Sequence, residues 1–358
     1  MMMKKNNITI DGRTVGVGYK PYIIAEMSAN HNRDLATAFS IIDAAKVAGA
    51  DAVKIQTYTP DTITLDAQTD DFLIKGGLWD GRTLYDLYEE AHTPWDWHKP
   101  LFEHAKQAGI TIFSSPFDQT AIDLLENLNT PAYKIASFEA IDLPLIRYAA
   151  STGKPMIIST GMADEEEISE AIEAAQSSGC TELAILHCVS GYPAPAEDYN
   201  LATISDMLNK FGLVTGLSDH TLDNTTAIAS VASGASIIEK HFTLDRDGGG
   251  PDDSFSLEPA EMAALCRDTK TAWSALGRVD YGRKSSELGN VQFRRSLYFI
   301  KNMKAGEVIT PECIRSVRPG YGLPPKYYDQ LVGTKVAVDV KEHTPVLLDV
   351  LANIDKLL

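Results

Sequence analysis

Short, almost uninterrupted apolar runs recur along the chain: YIIAE (22–26), AVKIQ (52–56), TIFSSP (111–116), AYKIAS (132–137), PMIIST (155–160), LAILHC (183–188), VTGLSD (214–219) and SIIEKHF (236–242). Runs of this length that do not alternate with polar residues predict strands buried on both faces. Between most of them the pattern changes to that of an amphipathic helix, as in DLATAFSIIDAAKVAGA (34–50), DEEEISEAIEAAQSSG (164–179) and TTAIASVASGA (225–235). Several of these close on glycine, a common helix stop. Eight strand and helix units in succession predict an α/β fold, a closed (β/α)8 TIM barrel, with an open doubly wound sheet as the alternative.

Two stretches depart from the repeat. The second and third strands are separated by DAQTDDFLIKGGLWDGRTLYDLYEEAHTPWDWH (66–98), in which HTPWDW starts a helix with Thr93 as N-cap, Pro94 in the first turn and Asp96 at the positive end. The residues before it form a long loop with a short helix, which either contacts substrate or packs Trp79 and Tyr85 on the surface. After TKTAWSALGRVDYG the helical pattern ends. RKSSELGNVQ (283–292) is expected to be a linker between a barrel domain, 1–282, and a small β-rich domain, 293–358. That domain is too small for a large pocket and is expected to serve as a lid, an oligomer contact or both.

The 358 residues are 44% hydrophobic and 23% charged, as in a soluble globular protein. A net charge of −17 argues against a nucleic-acid partner but leaves small anions open, because a pocket can oppose the global charge. No apolar run approaches the roughly 20 residues that span a bilayer, so no membrane partner is expected. MMMKKNNITI has charge without a signal-like apolar stretch, and a cytoplasmic location is expected. Cys180, Cys188, Cys266 and Cys313 show no CxxC spacing and read as reduced thiols.

The strands end on polar groups: Glu26, Lys54 with Gln56, Ser114 and Ser115, Lys134 with Ser137, Ser159 with Thr160, His187, Ser218 with His220, and Glu239 with His241. Any one could be a satisfied buried group; the set points to a site at the C-terminal face of the barrel. His220 and His241 end adjacent strands, which run about 4.8 Å apart, and could converge on one divalent cation with positions left open for water and substrate. A structural or acid–base pair would look the same. Glu26 falls on the same side, and Asn30, His31 and Asn32 read as a hydrogen-bonded turn. Lys54 and Lys134 stand in apolar strands and need partners. An anionic substrate, held also by Ser137, Ser159, Ser190 and Ser218, is one answer; an internal salt bridge such as Lys134 with Glu139 is another, and a Schiff-base lysine a third.

IIAEMSANHN, ADAVKIQ, YKIASFE, ISTGM, HCVSGYPAP, GLSDHT and IEKHFTLDRDGGGPDDSFSLEP together resemble the successive motifs of the sialic acid synthase family, whose members condense phosphoenolpyruvate with an N-acetylated aldose. The resemblance covers nearly the whole chain, including a C-terminal domain similar to type III antifreeze protein, the SAF domain. KGGLWDGRTLYDLYEEAHTPWDWH and EMSANHN look most like the branch of the family that makes pseudaminic acid. The resemblance implies a metal at His220 and His241, most often manganese, with cobalt or magnesium as substitutes. It implies that Lys54, Lys134, Ser137, Ser159 and Ser218 hold phosphoenolpyruvate, with Ser190 standing where sialate synthases often have Asn. Glu26, Gln56, Tyr192 and Asp252 would face the sugar, and Glu26 or Glu139 would move the proton. Arg318, in SVRPGYG, would reach into the partner subunit's site in a domain-swapped homodimer. The expected substrate is 2,4-diacetamido-2,4,6-trideoxy-L-altrose; the precursors of N-acetylneuraminate and legionaminic acid are the alternatives.

Overall fold

The computed structural model of the protein describes residues 7–352; residues 1–6, with the charged start, and 353–358 lie outside them. The chain divides into two compact units after Gly277.

The first unit opens with a hairpin, β1 (Asn7–Ile10) and β2 (Arg13–Gly16). Eight strands follow: β3 (Tyr22–Glu26), β4 (Ala52–Thr57), β5 (Thr111–Pro116), β6 (Tyr133–Ile135), β7 (Met156–Ser159), β8 (Leu183–Cys188), β9 (Val214–Asp219) and β10 (Ile237–His241). All pair in parallel, and β10 pairs with both β9 and β3, closing the expected barrel. Because side chains alternate across a strand, each one feeds two cores. Residues such as Ile23, Val53, Ile55, Leu217 and Ile238 pack outward against the helices. Ile24, Ala52, Phe113, Ile157, Leu186 and Ile237 pack inside the barrel, in one cluster with Ile8, Ile10 and Val15 of the hairpin, which stops its N-terminal end. Only small groups fit where the inner surface is tightest: a Cβ on Gly216 would lie 2.3 Å from the Ile237 carbonyl oxygen.

The helices begin and end where local chemistry dictates. Helix Leu35–Ala48 starts at Asp34, whose carboxylate accepts from the Ala36 and Thr37 amides, and stops at Gly49 with φ +91°. Helix Glu165–Ser177 has a capping box of Asp164 and Glu167. Thr93, expected as a cap, is not one. Helix Trp95–Ala108 is preceded by Pro94 at the N-cap, and Thr93 Oγ1 is buried without a hydrogen-bond partner.

In the second unit, β11 (Ser296–Phe299) pairs antiparallel with β12 (Ile314–Val317), and single bridges join Met303 to Val340 and Val336 to Leu351. Leu297, Phe299, Ile309, Ile314, Leu331 and Val346 form its core. The residues expected as a linker overlap a run of 3-10 turns, Ser285–Phe293, in this unit.

Candidate active site

Above the apolar plug, the inward positions of the strands change character together. Ile24 gives way to Glu26, Ala52 to Lys54 and Gln56, Ile157 to Ser159, Gly216 to Ser218, and Ile237 to Glu239 and His241. Lys134 does the same on β6. The register sets Glu26 beside His241 on one side and Lys54 on the other, and Ser218 beside Glu239. A cavity of about 410 Å³ opens over this layer. Glu26, Lys54, Gln56, Lys134, Ser137, Glu139, Ser159, Ser190, Tyr192, Ser218, His220, His241 and Asp252 all line it. Among the residues singled out in the sequence, Ser114, Thr160 and His187 point the other way. Ser114 Oγ and Thr160 Oγ1 donate to the carbonyls of Ile55 and Leu186, and His187 Nε2 to that of Tyr199. Arg318 lies in the second unit, whereas the cavity lining comes from the first.

Glu239 is the hub of the floor. Its Oε1 lies 3.4 Å from Lys54 Nζ and 3.3 Å from Lys134 Nζ, and accepts from Ser218 Oγ at 3.1 Å. Lys134 therefore pairs with Glu239, not with Glu139. Burial pushes the Glu239 carboxyl up, but the two ammonium groups outweigh it and hold the group ionised. Glu26 is raised by burial despite Lys54 Nζ 3.0 Å from its Oε2 and a hydrogen bond from Gln56 Nε2 to its Oε1. Two lysines and two carboxylates, Glu26 and Glu239, thus share the buried floor, so ammonium groups face the cavity of an acidic protein. Buried polar atoms without partners mark where a ligand would complete the layer: Ser159 Oγ, Glu139 Oε2, Glu239 Oε2 and His241 Nδ1.

The imidazoles of His220 and His241 face each other with centroids 5.4 Å apart, and the Tyr192 ring lies 4.4 Å from His220. His220 Nδ1 donates to the Val189 carbonyl at 2.8 Å, which makes Nε2 the basic nitrogen. Burial holds His220 down at about 4 and His241 well below its usual range, so both rings are neutral. Asp252 Oδ2 is 3.9 Å from His241 Nδ1, and burial pushes that carboxyl up to about 6. No three His, Cys, Asp or Glu side chains among the described residues converge as a metal cage. Two neutral imidazoles, one with a buried unpaired nitrogen, nevertheless fit a cation that takes its other ligands from water or substrate.

Sequence reasoning missed Ser28, Tyr58 and Phe117, which also line the cavity. Ser28 donates to Asp252 Oδ2 and accepts from Gln56 Nε2 at 3.0 Å, and holds φ at +45°. Its only signal was its place in the turn after the first strand. That turn is tied down as expected: Asn30 Nδ2 donates to Phe242 O and Ser256 Oγ, and Asn32 Nδ2 to Asp253.

A family model described as the NeuB family matches residues 41–281, and a SAF domain model matches 294–352. The chain belongs to the NeuB family. It is 47% identical over 322 residues to the pseudaminic acid synthase of Campylobacter jejuni (strain 81-176), covering 90% of this chain and 94% of that protein. It is 43% identical over 330 residues to the pseudaminic acid synthase of Helicobacter pylori, covering 92% and 97%. Among solved structures, the N-acetylneuraminic acid synthetase of Leptospira borgpetersenii, in complex with citrate, superposes with a TM-score of 0.73 at 30% identity, over 82% of this chain and 98% of that one. Membership in the NeuB family makes the chain an enzyme, and it agrees with the resemblance read from the motifs.

Proposed function

We propose that the chain condenses phosphoenolpyruvate with 2,4-diacetamido-2,4,6-trideoxy-L-altrose and water, giving pseudaminic acid and phosphate. What carries this reading is the polar layer in which two lysines and two imidazoles face one cavity, in a chain 47% and 43% identical to two synthases named for that product. Lys54 and Lys134 neutralise the phosphate and carboxylate of phosphoenolpyruvate, and the hydroxyls of Ser137, Ser159, Ser190 and Ser218 donate to them. Glu26, Gln56, Tyr192 and Asp252 orient the open-chain sugar.

C3 of phosphoenolpyruvate attacks the aldehyde carbon, the enol pair becomes the new C–C bond, and the aldehyde oxygen takes up a proton. Water adds to C2 and loses a proton; the C2–O bond then breaks, phosphate leaves with its electron pair and takes up the proton of the C2 hydroxyl, and a nine-carbon 2-keto acid remains. Glu139 is the better group to take the proton from that water. Burial pushes the carboxyls of both Glu139 and Glu26 up to about 7, but Glu26 Oε2 lies 3.0 Å from the Lys54 ammonium and its Oε1 accepts from Gln56, whereas Glu139 Oε2 has neither a hydrogen bond nor an ion pair among the described residues. A divalent cation held by His220 and His241, manganese with cobalt or magnesium as substitutes, supplies Lewis-acid polarisation of a carbonyl oxygen when bound. The enzyme works in the cytoplasm as a domain-swapped homodimer in which Arg318 completes the partner's site, and its product decorates surface glycans or flagellin. No helix among the described residues is long and apolar enough to cross a membrane.

Phosphate release from phosphoenolpyruvate with manganese, compared across this altrose, N-acetylmannosamine and the legionaminic acid precursor, with and without EDTA, tests the reading. Chelator-sensitive turnover confined to the altrose is expected. Turnover with another aldose overturns the substrate assignment, and covalent trapping of pyruvate on Lys134 by borohydride overturns the mechanism.

A further inference from the structure

The cavity has two chemistries, and the proposed reaction uses only its floor. Another part of its lining comes from the excursion between β4 and β5, which contributes Ile63, Ile74, Trp79, Leu84, Leu87 and Tyr88, with Ala91 at its end. The stretch carries Lys75, Asp80, Arg82, Asp86, Glu89 and Glu90 among these residues, yet none of those charges lines the cavity. So strict a sorting, in a surface excursion rich in charge, implies an apolar ligand surface.

The wall is built, not draped. Residues 73–83 close on themselves through the Leu73 and Thr83 bridge, the Ile74 amide donating to Arg82 O at 2.8 Å and the Gly81 amide donating to Ile74 O at 2.9 Å. Thr83 then caps helix Leu84–Ala91 by accepting from the Asp86 amide. Trp79 Nε1 donates to Pro251 O at 3.1 Å, fastening the excursion beside Asp252, and Tyr88 packs edge-on against Tyr58 at 5.7 Å. These ties take up the Trp79 N–H and leave its ring to the cavity.

On the reading proposed above, the aldehyde carbon must reach the floor of lysines and histidines, which sends C4 to C6 of the aldose towards this wall. That end of the sugar carries a methyl at C6 and an acetamido methyl at C4, where N-acetylmannosamine carries hydroxyls. We infer that the wall of Ile74, Trp79, Leu84 and Leu87 selects against aldoses hydroxylated at C4 and C6, seating the C6 and C4-acetamido methyl groups of the substrate. An apolar pocket rejects an added hydroxyl by roughly 10- to 100-fold, so discrimination of that order is expected.

The test compares kcat and KM for the trideoxy altrose and its 6-hydroxy counterpart in the wild type and in the Ile74→Ser and Leu84→Ser variants, with KM for phosphoenolpyruvate as an internal control. The wild type should favour the 6-deoxy sugar by about 10- to 100-fold in kcat/KM. Each serine variant should narrow that ratio through a higher KM for the 6-deoxy sugar, without moving KM for phosphoenolpyruvate. A wild type that uses both sugars equally overturns the inference without recourse to any variant, as do folded serine variants that keep the full preference. If the wild type prefers N-acetylmannosamine, the substrate reading falls and the inference with it. If the altrose is turned over but its C6 substituent is ignored, the inference alone falls.

Discussion

Lys240 takes no part in the cavity, yet it holds two residues that do. Its ammonium donates to Asp219 Oδ2 at 2.9 Å and to the Thr221 and Asp223 carbonyls at 2.7 Å each, all on the outer face of the barrel. Asp219 precedes His220 and Lys240 precedes His241, so one buried ion pair fixes the exits of both strands that carry the imidazoles. Lys240→Met would leave Asp219 charged and unpaired, a change that typically costs about 3–5 kcal/mol. A melting temperature lower by roughly 5–9 °C in calorimetry is expected; an unchanged one would show the pair to be dispensable. Glu139 makes the opposite bargain. Its folded carboxyl is held up to about 7 from an ordinary 4.5, so the folded state keeps a proton that the unfolded chain releases, and stability falls as pH rises through that window. Glu139→Gln should therefore be more stable than the wild type at pH 8 by ~1–3 kcal/mol, with the gap closing below pH 5 in chemical denaturation. The same substitution should lower kcat by roughly 10²- to 10⁴-fold and remove a limb of activity that rises through pH 7. The polar strand ends were legible because period-two alternation makes a charge at an inward position conspicuous. The pairing of Glu239 with Lys54 and Lys134 was not, since it joins β10 to β4 and β6 across the barrel interior and no local pattern encodes it.

At the scale of elements, the turn after β7 shows how a backbone shapes the floor. Gly161 has φ +50°, and a Cβ there would meet Ser137 Cβ at 2.4 Å and Ser190 Oγ at 2.7 Å. Those two hydroxyls hydrogen-bond each other at 2.9 Å, so glycine is what lets them sit side by side. Gly161→Ala should drive them apart and raise KM for phosphoenolpyruvate at least tenfold, read in steady-state kinetics; an unchanged KM would remove Ser137 and Ser190 from the phosphate site. All eight barrel strands could be read from the chain, since runs such as TIFSSP and VTGLSD are buried on both faces and carry an unbroken apolar signal. The hairpin of β1 and β2 escaped notice because NITI and RTVG each bury only part of their length. The Thr93 cap failed for another reason: Pro94 occupies the N-cap itself, with φ −53° and ψ 137°.

For the whole molecule, the proposed domain swap makes a prediction that neither unit makes alone. Lys54 stands on the barrel floor and Arg318 in the second unit, so Lys54→Met and Arg318→Ala should each inactivate the homodimer, by different routes. If Arg318 serves the partner's barrel, a mixed dimer of the two variants pairs an intact floor with an intact arginine at one of its two sites. Random reassortment makes half of the dimers mixed, so mixing equal amounts should restore about a quarter of wild-type activity, within the time subunits take to exchange. Were Arg318 to act on the barrel of its own chain, every site in every mixed dimer would lack either lysine or arginine, and activity would stay at the level of the separate variants. The assay needs only phosphate release; a double variant carrying both changes in one chain, mixed with wild type, should let activity fall from about a half to about a quarter of the wild-type level, and native mass spectrometry of the mixed dimers follows exchange itself.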